Sequence, residues 1–337
     1  MSHRFGIIAG GNWIVDKLKV VDTYPAQDAL ANIVSESVGN GGSPFNVLVD
    51  LAELGAPFPL AGVGLIGNDA DGKWIAARCR RHGIDAAGLR VRPDAPTSYT
   101  DVMTVQATGR RTFFHQRGAN ALLDAGHFDF EGSQAKIFHL GYLLLLDRLD
   151  APDAEFGTVA GRVLDAATRA GCKTSVDVVS EDGDRFARVI LPTLRQVDYC
   201  ILNEFEAERT IGVTIRREAG IDQSALVTAA RGLLDAGVRE WVIIHYPEGA
   251  CALGRDGSLF VQGSVRLPEA KIVGAVGAGD AFAAGMLHGL HEGTGIGTAL
   301  HHGVCAAASC LEAAGCSDGL RPLEECLQLG RTYGFRA

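Results

Sequence analysis

The residues with the clearest chemical potential are Gly277-Ala278-Gly279-Asp280, the end of the run VGAVGAGD. Downstream, Phe282, Met286, Leu287 and Leu290 recur at helical spacing, so the glycine turn should open a helix. Free backbone N–H groups and the helix dipole at such a mouth attract an anion. An aspartate there would repel an anion if holding one were the only task. It becomes useful if Asp280 takes a proton from an attacking hydroxyl while the amides hold a phosphoryl group. The plainer reading is that Asp280 merely caps a helix after a glycine-rich turn.

Other segments carry weaker chemistry. Gly41-Gly42-Ser43-Pro44-Phe45-Asn46 reads as a glycine pair, Ser43 as an N-cap, Pro44 at the first helical position and Asn46 in the first turn. Such a turn holds a polar ligand with backbone groups and the Asn46 amide, or is simply a loop and cap. Asp177 and Asn203 each end an expected parallel strand, where polar residues face a ligand crevice. Asn203-Glu204-Phe205-Glu206 would set a carboxylate beside Asn203, suited to a hydrated metal–phosphate or equally to an acidic helix start. Gly62 to Gly67 spells GxGxxG and admits a different class of enzyme, an NAD-dependent oxidoreductase. Asp69 and Asp71 follow it, where a pyrophosphate would need a helix mouth. Gly67 to Lys73 mimics a phosphate loop, but Trp74 replaces the Ser or Thr that would hold Mg²⁺. His288, His291, His301 and His302 lie near Cys305 and Cys310 without the spacing of a zinc site.

These residues need a scaffold, and the sequence implies an α/β one. Strands are expected at Arg4–Ala9, Leu60–Val63, Ile137–Leu140, Thr174–Asp177, Tyr199–Asn203 and Trp241–Ile244. Between the later ones lie helices at about Asp153–Ala170, Arg185–Leu194 and Ser224–Ala236. Repeated β-α-β units imply a parallel sheet covered on both faces. Residues 17–40 and 97–116 break this alternation. The second is a hairpin about Thr-Gly-Arg, so a small separate sheet is expected. Of 337 residues 43 are glycine, roughly twice the usual share, which implies tight turns and close backbone approaches. A net charge of −9 with no basic stripe argues against nucleic acid. No apolar run is long enough for a membrane span, and the start of the chain does not read as a signal peptide. Eight scattered cysteines without CxxC read as reduced thiols of a cytoplasmic protein.

Taken together and in order, the GGxxxN segment at Gly41–Asn46, GxxGxDxxG at Gly64–Gly72, NxxE at Asn203–Glu206 and GAGD at Gly277–Asp280 resemble the ribokinase-like (PfkB) carbohydrate kinase family. The resemblance runs from about Phe5 to Gly315. It implies one domain over residues 1–337, a Rossmann-like α/β/α sandwich with a mainly parallel central sheet. A small β-sheet lid would be formed by about 13–42 and 95–118. It implies an ATP-dependent kinase acting on a hydroxymethyl group of a sugar, or alternatively a nucleoside. Asp280 would be the catalytic base, and Gly277, Ala278 and Gly279 the anion hole. Asp16, Gly41, Gly42 and Asn46 would bind the acceptor, and Asn203, Glu206 and Gly249 the nucleotide. Glu206 would hold Mg²⁺ through water, and Arg117-Gly118-Ala119-Asn120 would close the lid. Trp13 and Tyr99 are candidates to stack on a substrate ring, Trp13 equally for the core. A homodimer through the lid would follow by analogy. The family's Asp-Thr-Thr is here Gly274-Ala275-Val276, which leaves a monovalent cation in doubt.

Overall fold

Strands that are apolar on both faces must be covered on both faces, and the chain meets that demand with helices on either side of one large sheet. The computed structural model describes residues 4–337. β1 (Ile7–Gly11) leads into β2 (Ile14–Val21) and β3 (Ile33–Gly41), then α1 (Ser43–Glu53), β4 (Leu60–Gly67), α2 (Ala70–Arg81) and β5 (Asp85–Arg92). The hairpin β6 (Ser98–Val105) and β7 (Arg111–Gln116) follows. After β8 (Ile137–Leu143) come a two-residue pair, β9 (Pro152–Asp153) and β10 (Gly157–Thr158), then α3 (Val159–Arg169) and β11 (Lys173–Val178). Next are α4 (Phe186–Thr193), β12 (Tyr199–Asn203), α5 (Glu204–Ile211), the short pair β13 (Arg216–Arg217) and β14 (Gly220–Ile221), and α6 (Gln223–Asp235). The chain ends with β15 (Trp241–Tyr246), β16 (Gly249–Gly254), β17 (Leu259–Gly263), α7 (Ala278–Glu292), α8 (Ile296–Cys310) and α9 (Leu323–Tyr333).

The large sheet has nine strands in the order β17-β16-β15-β12-β11-β8-β1-β4-β5. Pairing is parallel from β5 to β15, and β16 and β17 add antiparallel at the edge. One core packs α1, α2, α7, α8 and α9 against one face. A second packs α3, α4, α5 and α6 against the other. The mixed α/β sandwich expected from the sequence is thus present. Strand order reverses between β1 and β8, and such a switch point opens a crevice at the carboxyl ends of the strands. The segments that broke the alternation form a separate four-stranded sheet, β3-β2-β6-β7.

Two local expectations change. The helix expected from Asp153 begins only at Val159, because Gly157 takes φ +82° and Thr158 caps the helix, its hydroxyl accepting from the Gly161 N–H at 3.0 Å. Asp153 instead accepts from the N–H groups of Glu155 and Phe156 in the preceding turn. The cap of α1 is Gly42, not Ser43. Gly42 sits at φ +81° against the Asn12 carbonyl, a place with no room for a side chain. Ser43 moves one step into the helix, and its hydroxyl is released for another partner.

Candidate active site

A cleft of about 560 Å³ lies at the switch point, between the carboxyl ends of the large-sheet strands and the small sheet. Asp280 stands on its floor in the first turn of α7, buried. One of its oxygens accepts from Asn46 Nδ2 at 2.7 Å and from the Tyr142 hydroxyl at 3.0 Å. Burial, reinforced by the negative charge of Asp177, pushes its carboxyl up to about 7. A carboxylate in that range accepts a proton well near neutral pH. Asn46 is itself oriented, because its carbonyl oxygen accepts from Asn40 Nδ2 at 2.7 Å.

The turn before Asp280 opens α7 with backbone N–H groups facing its N-terminus. Gly277 caps α7 at φ +76°, and a side chain there would meet the Cys316 carbonyl. The first backbone bond of the helix runs from the Ala281 N–H to the Gly277 carbonyl at 2.8 Å. The N–H groups of Ala278, Gly279 and Asp280 therefore have no partner within the helix. Gly277 and Gly279 line the cleft, with Ala278 between them.

Asp177, at the end of β11, ties the floor together. It accepts from the Tyr142 N–H at 2.7 Å and from the Ser43 hydroxyl, with His139 beyond. Tyr142 takes φ +57°, a conformation uncommon for a bulky residue, and that backbone bond helps to hold it there. Farther along, Asn203 and Glu206 line the same cleft. The helix-start reading of this pair is present in the structure. They form a reciprocal cap of α5: Asn203 Oδ1 accepts from the Glu206 N–H at 2.9 Å, and Glu206 Oε2 from the Asn203 N–H at 2.9 Å. Glu206 also accepts from the Ser180 hydroxyl at 2.7 Å, and burial pushes its carboxyl up to about 8. The rise comes from burial, which disfavours the charged form.

The small sheet supplies the opposite wall. Asp16 of β2 is buried, touches the Cys316 thiol at 3.5 Å, and is raised to about 7 by burial. It pairs in register with Thr100, which pairs with His115, and all three line the cleft together with Arg111 and Phe113.

Not every expected residue reaches this cleft. Gly41 lies beneath the Asp16 carboxylate, leaving space for it, and is not itself on the wall. Gly249 is displaced further. It opens β16 directly opposite Tyr246 across a tight turn and packs on the Gln262 carbonyl, so the hairpin draws it into the sheet and off the cleft. The dinucleotide reading of Gly62–Gly67 is overturned, because all six residues lie inside β4 and no strand-to-helix turn occurs there. Gly62 and Gly64 instead make room for the Trp13 ring. Trp13 is fully buried, its ring tilted against Phe45 with centroids 5.0 Å apart and donating to the Val63 carbonyl at 2.9 Å, so it belongs to the core and not to a substrate platform. Tyr99 carries Lys17 over its ring at 4.0 Å and is not on the cleft wall. In the Arg117–Asn120 segment, Asn120 bonds both backbone groups of Trp13, and Arg117 pairs with Asp147 at 2.7 Å.

The sequence reading missed Tyr142, Arg111, His115, Thr100 and Cys316. Only Tyr142 left a trace, following an apolar strand in the run HLGYLL. The others come from a hairpin and a distant loop whose spacing carries no chemical pattern.

Comparison with known proteins adds four findings. A family model described as pfkB family carbohydrate kinase matches residues 14–323. The chain is 28% identical over 278 residues to a probable chloroplastic fructokinase-6 of Arabidopsis thaliana, covering 80% of this chain and 67% of that protein. It is 27% identical over 333 residues to the ribokinase of Arabidopsis thaliana, covering 97% and 82%. The structure of Arabidopsis thaliana ribokinase complexed with ribose and ATP superposes with a TM-score of 0.77 at 20% identity, over 97% of this chain and 98% of that one, which establishes a shared fold.

Proposed function

The chain belongs to the pfkB family of carbohydrate kinases, phosphotransferases with an alcohol acceptor, and from that premise we propose that it transfers the γ-phosphoryl group of ATP to a hydroxymethyl group of a sugar. The observation that carries the proposal is Asp280, raised toward neutrality and held by Asn46 and Tyr142 beside the N–H groups that open α7 and have no partner within the helix. Asp280 is the general base. The acceptor oxygen attacks the γ-phosphorus, the bond from that phosphorus to the ADP oxygen breaks, and the hydroxyl proton passes to Asp280. The α7 amides stabilise charge on the transferring group, which is worth roughly 3–4 kcal/mol per well-placed donor. Asp16 and Asn46 bind acceptor hydroxyls.

The residues present fit a divalent cation. Glu206 and Asn203, with Ser180 beside them, are the candidates to hold Mg²⁺, largely through water. Bound there with ATP, Mg²⁺ would supply neutralisation of phosphate charge. Residues 13–42 and 95–118 act as a lid on a single domain, excluding the water that would otherwise hydrolyse ATP. Ile33, Val34, Val38 and Phe114 are exposed on that small sheet and support a homodimer through it. The eight free, buried thiols support a cytoplasmic location.

The test is ADP release from Mg-ATP across neutral sugars, sugar acids, sugar phosphates and nucleosides, with the phosphorylated product identified by mass spectrometry. Release that requires both an acceptor and Mg²⁺ is the expected result. Nucleotide binding without any product would reduce the protein to a binding module on a kinase fold.

A further inference from the structure

We propose that the acceptor carries an anionic group, which Arg111 on the small sheet receives. This rests on the kinase reading and narrows its substrate. Arg111 lines the cleft from β7, half-buried, and its guanidinium forms no hydrogen bond and no ion pair among the described residues. Its ring neighbour is Phe113, at 5.9 Å. The side chains bearing on its charge are the Cys316 and Cys310 thiols, both buried, with burial pushing both thiols up and so favouring their neutral form. Burial lowers its pKa from the usual arginine value, as expected of a cation without a counter-ion.

The acids of the cleft do not answer it. Asp16 is occupied with Cys316, Asp280 with Asn46 and Tyr142, Asp177 with Ser43 and Tyr142, and Glu206 with Asn203 and Ser180. A partly desolvated guanidinium is costly when left alone and presents a planar fork suited to carboxylate or phosphate. A neutral polyol would not repay that cost, whereas an anion would.

Position separates this anion from the nucleotide. Arg111, Phe113 and His115 alternate along β7 and share its cleft-facing side. His115 pairs across the sheet with Thr100, and Thr100 with Asp16, so Arg111 belongs to the wall of the proposed acceptor-binding Asp16. It stands four residues beyond His115, about 13 Å along the strand. His115 offers a second unanswered atom on this wall. Its Nδ1 meets the Thr100 hydroxyl at 3.0 Å, but its Nε2 is buried without a partner. The acceptor therefore presents its hydroxymethyl group to Asp280, its hydroxyls to Asp16, and its charged end to Arg111.

The experiment compares 2-keto-D-gluconate, D-fructose 6-phosphate, D-fructose and D-ribose as acceptors for the wild-type protein, Arg111→Gln and Arg111→Lys. One anionic acceptor should exceed the neutral sugars in kcat/KM by roughly 100-fold, the scale of a charged hydrogen-bonded pair. Preference between the first two compounds distinguishes carboxylate from phosphate. Arg111→Gln should raise the KM for that acceptor by about the same factor, with kcat and the KM for Mg-ATP nearly unchanged. Arg111→Lys should recover part of the loss. Equal or better turnover of the neutral sugars overturns the inference and leaves the kinase reading standing. A loss confined to kcat or to the KM for Mg-ATP would assign Arg111 to the phosphoryl group instead and also overturns it. Absence of ADP release with these acceptors and across the wider panel of sugars, sugar acids, sugar phosphates and nucleosides removes both readings.

Discussion

The floor of the cleft and its small-sheet wall are built on opposite terms. On the floor, Asp177 and Asp280 receive hydrogen bonds from Ser43, Tyr142 and Asn46, and Glu206 from Asn203 and Ser180. On the wall, the Arg111 guanidinium and His115 Nε2 have no protein partner among the described residues. A floor fixed by the protein's own bonds is preorganised for one reaction. A wall with unanswered polar atoms waits for whatever ligand answers them. On the proposed reading, chemistry and specificity fall to different sheets, and variants should separate them.

The largest effect should come from the floor. Asp280→Asn is expected to lower kcat by about 10³-fold, within the range for loss of a general base, while the dissociation constant for Mg-ATP stays within a few-fold. Single-turnover kinetics and calorimetry check this, and a variant with near-normal kcat would sink the assignment. Tyr142→Phe should be milder, about 10-fold in kcat. It also carries a pH signature. The Tyr142 hydroxyl donates to the Asp280 carboxylate and favours its charged form, so removing it raises a pKa already near 7. Because the base must be deprotonated, the acid limb of the kcat/KM profile should move to higher pH. The smallest effect should come from Thr100 on the wall. Thr100→Val loses the hydroxyl beside His115 and should raise the acceptor KM by roughly 2- to 10-fold with kcat unchanged. A fall in kcat there would erase the proposed division of labour.

The two regions also differed in how readable they were. Gly277–Asp280, Gly42, Asn46 and Asn203–Glu206 lie in short runs where residue type and helix geometry act together, and those runs were visible as patterns. Ser43 was misread as a cap because the left-handed backbone of Gly42 depends on the Asn12 carbonyl, some thirty residues away in the chain. Gly62–Gly67 spelled a turn but forms a strand, since what its glycines accommodate is the Trp13 ring. Gly249 lies off the cleft because its environment is set by a hairpin partner.

Local order alone determined the α/β alternation, the separate hairpin and the glycine-rich helix mouth, because apolar period, capping and turn chemistry act within a few residues. Tertiary structure decided that Asp280 meets Asn46 and Tyr142 from three distant segments, and that Arg111 enters the cleft without a partner. Burial and the absence of a neighbour are properties of the packed chain. Both the proton affinity of Asp280 and the unmet charge of Arg111 arise from that packing, and neither is written in the spacing of the residues.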